Sequence, residues 1–438
     1  MSPLLAIAGE LSHRGVPDLW FASEEAARGR VERIPGPSPV GFVSSGPTYY
    51  TPDESVYAAM TRGPRTTDGF VAATRLLQHP SVTGEQYPWL LDLIDKLDPG
   101  LMVIDALHLP ALDAAMTRRV PFVLSVPFPV SMLYLRRLPW SYPTPTSGLP
   151  RRMGPARLAA NVAFRIRLHL ALLTRTNLLG SAWYRRSLGI ANPFGDLERY
   201  SAAAAAVFGY SVFGIEYPFP APKHLHMLGT AVEREAPAAT TGSDLSRWLD
   251  EHPSVVYVGL GTLAVLSRDQ VAALATALAD LGPRHHVLWK LPAAQRALLP
   301  GPLPAHIRLE DWLPSQSEVL AHPHVRVFVT HGGANGFHEG IYFGKPLFAM
   351  PLWLDCYDLA ARGVDAGVGL AVDRPPHFAA DEITAKLRRL LSDDTFARRS
   401  RHWGERLRQA GGAGRAADLV LELAGGASAA RGQETAPS

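Results

Sequence analysis

The sequence predicts an α/β protein built from two doubly wound domains that face a central cleft. Three observations predict it. Short apolar strands alternate with helical stretches in both halves, the pattern of parallel sheets. A Pro-rich passage at 216–229 and the breaker-rich run EREAPAATTGSD divide the chain into halves of similar size. A length of 438 residues exceeds what one ordinary core holds. Hydrophobic residues at 47% and charged residues at 19% suit a globular chain with a large interior. A net charge of +3 makes no case for nucleic acid. One cysteine, Cys356, excludes an internal disulfide and fits a reducing, cytoplasmic setting. No uncharged apolar run of about 18 residues marks a membrane-spanning helix.

The first element reads as a helix: Ser2 is a good N-cap, Pro3 suits the first helical position, and Gly15 closes the run. Strands are expected at 18–23, 101–105, 122–126 and 205–210, with helical periodicity over 87–97 and 155–190. The passage 216–229 reads as a stiff extended linker. The second half opens with SVVYVGLGT, a β-branched strand ending in a glycine turn, and a helix begun by a Ser267/Gln270 capping box. HVLWKL, IRLEDWL, VRVFVTHGG and KPLFAMP supply its further strands. The expected division is 1–222, a linker at 223–243, a second domain at 244–395, a terminal helix at 396–424 and a disordered Ala/Gly/Ser-rich tail at 425–438.

Chemistry concentrates in 312–358, WLPSQSEVLAHPHVRVFVTHGGANGFHEGIYFGKPLFAMPLWLDCYD. VRVFVT feeds HGG, and a helix starts at once. That arrangement offers the amides of Gly332 and Gly333, a positive helix end and the His331 imidazole to one anion. Glu339 lies four residues beyond Asn335, on the same helix face, where a carboxylate suits vicinal ribose hydroxyls. Gly261 and Thr262 end another strand within reach of the same phosphates, and Trp312 offers a flat face for a base.

Together these residues resemble the nucleotide-binding signature of family 1 glycosyltransferases, GT-B enzymes that include glucuronosyl, plant and macrolide transferases. The resemblance covers the whole signature and, more loosely, the two-domain layout. It implies a GT-B fold and a hexose moved, with inversion, from a nucleotide diphosphate sugar (a UDP-sugar before a dTDP-sugar) to a hydroxyl. The donor is a co-substrate, with no cofactor and no metal. Trp312 would stack on the base, His331 and Thr262 would hold the diphosphate, Glu339 the ribose and Asp355 the donor sugar. Two positions depart from the family pattern. Cys356 stands where Gln is usual, which leaves the sugar open, and the extra residue in WLPSQ puts the contact of Gln316 with the base in doubt.

The resemblance also implies a catalytic His in a His-x-x-Pro pattern, oriented by an Asp. Asp105 fits the orienting position, at the end of a buried strand, with a helix cap as its plainer role. If Pro3 is the Pro of that pattern, the His falls just upstream of Met1, together with the first strand of the domain. The expectation is therefore a start upstream of Met1. His108 is a substitute base of lower standing, and His13 should be surface.

Phe128, Tyr134, Trp140 and Tyr142 could line an apolar acceptor pocket for a lipid or other small molecule. The helix at 156–173 carries Arg157, Arg165 and Arg167 among apolar residues. A core helix with snorkelling arginines is favoured there over peripheral contact with an anionic bilayer. Two other functions stay open: a catalytically silent nucleotide-sugar-binding partner protein and a nucleotide-sugar epimerase.

Overall fold

A computed structural model describes residues 2–46, 52–232 and 243–434 as parallel sheets covered by helices. In the first half, β1 (Leu19–Ser23) pairs with β2 (Val40–Ser44). A separate sheet runs in the order β3 (Met102–Asp105), β4 (Phe122–Val126), β5 (Ala206–Gly209) and β6 (Leu225–Met227). β4 and β5 are buried on both faces, as their apolar composition requires.

The second half holds β7 (Val255–Gly259), β8 (His286–Lys290), β9 (Ile307–Glu310), β10 (Val325–Thr330), β11 (Leu347–Ala349) and β12 (Gly369–Ala371). Their spatial order is β9-β8-β7-β10-β11-β12, all parallel. The first strand is central and the winding reverses between β7 and β10. That reversal opens a crevice at the carboxyl ends of those two strands, where ligands of doubly wound sheets bind. The two strands are in register there, Gly259 beside Thr330.

Several elements differ from expectation. β2, β6 and β12 were not anticipated: β2 is half-buried throughout, and the other two are only three residues long. The supposed linker at 216–229 therefore contributes a strand, because Leu225–Met227 extends the first sheet beside β5. The helix expected at 87–97 starts at Pro80, and 155–190 is two helices, Pro155–Arg175 and Leu178–Ser187. The terminal helix is likewise two, Asp394–Gln409 and Gly412–Glu434, parted at Gly411 and Gly412, both with positive φ. The region read as a tail continues this helix to Glu434, while 435–438 lie outside the described residues. Of the boundary run EREAPAATTGSD, only Ser243 and Asp244 are described.

The last helix returns to the first half. Its Ala416, Ala417, Leu419 and Val420 share a core with Ala6, Ile7 and Leu11 of the helix Ser2–His13. Arg14 donates to Asp418 at 2.6 Å beside it.

Candidate functional site

At the crevice, Gly261 and His331 follow β7 and β10. Gly261 has φ +83°, and a Cβ there would stand 2.7 Å from the His331 ring, so glycine serves both the turn and the imidazole's room. Gly332, at φ +80°, turns the chain beneath the Cys356 carbonyl. Gly333 caps the helix Ala334–Tyr342 without any side-chain cap, which leaves the first amides of that helix for another acceptor. Burial pushes the His331 pKa down to about 4. The ring is therefore neutral at pH 7, and its Nδ1 has no hydrogen-bond partner among the described residues. It can meet a phosphate as a neutral N–H donor.

Glu339 lies on the same helix. Gln316 Nε2 donates to Glu339 Oε2 at 2.5 Å, and Gln316 Oε1 accepts from the Tyr257 hydroxyl at 3.1 Å. The extra residue of WLPSQ thus puts Gln316 beside the carboxylate, on the helix Gln316–Ala321. Tyr257 is fully buried in β7, stacked on Phe328 of β10. Trp312 is exposed in the loop after β9, and the Lys290 ammonium lies 4.3 Å from its ring centroid. Lys290 backs one side of the indole, and a base could stack on the exposed remainder.

Asp355 and Cys356 begin the helix Leu354–Asp365. Burial, aided by the neighbouring Asp358, pushes the Asp355 carboxyl up to about 7. Trp353, just before it, lies 5.2 Å from His331 between ring centroids. Thr262 is exposed in the loop after β7. On the first-half side of that loop, the hydroxyl of Tyr57, from the helix Glu54–Met60, accepts from Val265 N–H at 2.8 Å and donates to its carbonyl. The same tyrosine meets Trp353 edge-on at 6.0 Å.

A cavity lies where the halves meet. Phe128 and Val130 after β4 and Ser211 after β5 face Asn335, His338 and Glu339. Pro3, at the start of the first helix, lines the same space. Asp105 ends β3 and accepts from Leu107 N–H at 2.9 Å. His108 caps the helix Leu109–Arg118, its Nδ1 accepting from Ala111 N–H at 3.3 Å. Burial lowers its pKa.

The four aromatics expected at an acceptor pocket part company. Phe128 lines the cavity, whereas Tyr134 and Tyr142 are core residues with bonded hydroxyls, to Ser201 and to Glu216 and the Tyr217 carbonyl. Trp140 is exposed, with Arg165 over its ring. A tyrosine buried with a satisfied hydroxyl looks the same in sequence as one lining a pocket.

Sequence reasoning missed a buried cluster that joins the halves. Glu216 accepts from Val130 N–H, Ser131 Oγ and Arg362 Nη2, all within 3.1 Å. Asp358 accepts from Thr146 and Gly148 N–H at 2.6 and 3.0 Å. Arg362 and Asp358 belong to the helix that Asp355 begins. His338 joins the halves too, its Nδ1 bonded to the Ala334 carbonyl and its Nε2 to Ser211 Oγ. No local pattern marks such residues, since Glu216 and Arg362 are 146 positions apart.

These features define a GT-B fold, two Rossmann-like units about a cleft. Solved glycosyltransferases share it over nearly the whole chain. The kitacinnamycin glycotransferase superposes with a TM-score of 0.68 at 20% identity, covering 96% of this chain and 95% of that one. A UDP-glucose: anthocyanidin 3-O-glucosyltransferase in complex with UDP gives 0.67 at 18% identity, covering 97% and 96%. The chain belongs to the UDP-glucoronosyl and UDP-glucosyl transferase family, whose model matches residues 103–400. Glycosyltransferase sdnJ of Sordaria araneosa is 26% identical over 69% of this chain. UDP-glucuronosyltransferase 2A3 of Cavia porcellus is 28% identical over 63%. The chain spans 63% and 52% of the lengths of these two relatives.

Proposed function

We propose that this chain is an inverting glycosyltransferase moving a hexose from a UDP-sugar to a hydroxyl of an apolar small molecule. What supports this reading above all is the pairing across one cavity of an apolar wall, Phe128 and Val130, with Asn335 and Glu339 of the helix after HGG. The roles follow the resemblance of these residues to the family's nucleotide-binding pattern. Trp312 stacks on the base, and Glu339, held by Gln316, takes the ribose hydroxyls. Gly261, Thr262, His331 and the amides that open the helix Ala334–Tyr342 take the diphosphate. Asp355 holds the hexose, beside Cys356. In the reaction an acceptor oxygen bonds the anomeric carbon as the bond to the diphosphate breaks. The acceptor proton passes to a base oriented by Asp105. Donors fixed before reaction stabilise the charge on the departing diphosphate.

A second reading, a silent nucleotide-sugar-binding protein, is favoured by the state of two other histidines. His108 uses Nδ1 as a cap, and His338 has both ring nitrogens bonded. Incubation with UDP-glucose and a panel of apolar alcohols separates the readings. Released UDP with a glycosylated product supports transfer. UDP binding without product or donor hydrolysis across several donor sugars supports the silent reading. Conversion of free donor without acceptor would point to an epimerase.

A further inference from the structure

The helix Pro155–Arg175 turns an apolar face in both directions. Inward it buries Asn161, Phe164, Arg165, Leu168 and Ala171, with Arg165 bonded to the carbonyls of Leu135, Leu138 and Pro139. This face agrees with a core helix. Outward, Ala159, Ala163, Ile166, Leu170 and Leu173 recur at steps of three and four and are all exposed, Leu173 at 69%. That spacing lines them along one ridge, where a surface helix ordinarily carries polar groups. The next helix carries two further exposed apolar side chains, Leu179 and Trp183, 79% and 73% exposed and one turn apart.

The segment that carries this surface has charge of one sign. Between Asp113 and Asp196 the sequence holds twelve arginines and no aspartate or glutamate. Arg157 in the first turn, Arg167 beside the ridge and Arg186 after Trp183 are exposed and form no ion pair among the described residues. Arg175 is tied to Asp68 at 2.7 Å. The ridge itself carries no hydrogen-bonding side chain, whereas a protein interface of useful size needs about one hydrogen bond per 100–200 Å² to fix its partner. A smooth apolar ridge about 21 Å long with arginines at its flanks and ends matches a lipid headgroup boundary instead.

We propose that this face, Ile166, Leu170, Leu173, Leu179 and Trp183 with Arg157, Arg167 and Arg186, docks the protein on an anionic bilayer. The apolar side chains enter the acyl boundary and the guanidinium groups meet the phosphates. The same helix follows the loop at 142–151, which is bound to Asp358 across the domain junction, so docking sets the acceptor half against the membrane. For its purpose the inference rests on the proposed transfer to an apolar acceptor. The binding itself is measured with neither donor nor acceptor present, so the two can fail separately.

The test is sedimentation of the full chain with vesicles of phosphatidylcholine alone and with one third phosphatidylglycerol. The wild type should pellet with the anionic vesicles at least roughly tenfold more than with the neutral ones, and high salt should release it. The variant Leu170→Glu/Leu173→Glu should lose that binding about tenfold while keeping the UDP affinity of the wild type, which reports an intact fold. Brominated phosphatidylglycerol should quench part of the tryptophan emission, and Trp183→Leu should abolish that part. Wild-type protein left in the supernatant, or pelleting unchanged by the double substitution, overturns the proposal. So does a wild-type dimer that the double variant converts to monomer, which would assign the face to a second copy.

Discussion

Asp355 carries two demands that oppose each other. Its burial holds the carboxyl up to about 7, so the folded protein keeps a proton there that the unfolded chain has already released above pH 4. Stability from this group is complete at low pH and falls as pH rises toward 7. Asp355→Asn should therefore raise the Tm at pH 8 by roughly 5 °C and change it little at pH 4, by calorimetry, while weakening binding of a UDP-hexose more than of UDP. The pair Glu339 and Gln316 makes a separate prediction. Glu339→Ala should cost UDP affinity about ten- to a hundredfold, the worth of charge-assisted hydrogen bonds to two hydroxyls. Gln316→Ala, which only positions that carboxylate, should cost roughly threefold to tenfold; an equal loss in both would make Gln316 a direct ligand. Titration calorimetry reads both. Glu339 was legible because its spacing from HGG is local. The work of Gln316 was not, because it depends on how the extra residue of WLPSQ lays the next helix against Glu339.

The element that makes the crevice is the turn after β7. Gly261→Ala would place a side chain at positive φ and against the His331 ring, so a stability loss of about 1–2 kcal/mol in urea unfolding is expected. The added methyl should weaken UDP binding as well, since His331 cannot keep its place. At this scale the sequence was readable wherever one strand carries its own pattern: VVYVG and FVLSV, apolar but for Ser125, are buried on both faces. β2 was not readable, because its half-buried VGFVS lacks both a full run and a clear alternation. β6 was hidden in a Pro-rich passage, where pairing with β5 outweighs the local breakers. The break between the helices Pro155–Arg175 and Leu178–Ser187 falls at Thr176 and Asn177, which the apolar periodicity runs straight across.

Over the whole molecule, burial sets titrations of opposite slope. His331 and His338 are both pushed down to about 4, so between pH 6.5 and 4 the unfolded chain binds protons that the folded one refuses. That contribution is present above pH 6.5 and is lost as pH falls through 4, opposite to Asp355. His338→Gln should flatten the fall in Tm between pH 7 and 5, and a slope identical to wild type would count against a buried neutral imidazole. The cluster that joins the halves matters more to stability than either histidine. Arg362→Met strands the Glu216 carboxylate in the interior and should cost about 3–5 kcal/mol, most of it recovered in Arg362→Met/Glu216→Gln. Chemical unfolding of the three proteins measures this. The sequence gives no sign of the cluster, because it joins residues more than a hundred positions apart.

The position of that cluster also governs how the cleft can move. Arg362, Asp358 and Glu216 clamp the domain junction with buried charges, while Tyr57 joins the halves through the backbone of Val265 and the edge of Trp353. Buried charges that close resist being drawn apart into water, so the halves stay together there when the cleft opens. The contact lies on the helix Leu354–Asp365, so Asp355 in its first turn stays with the junction.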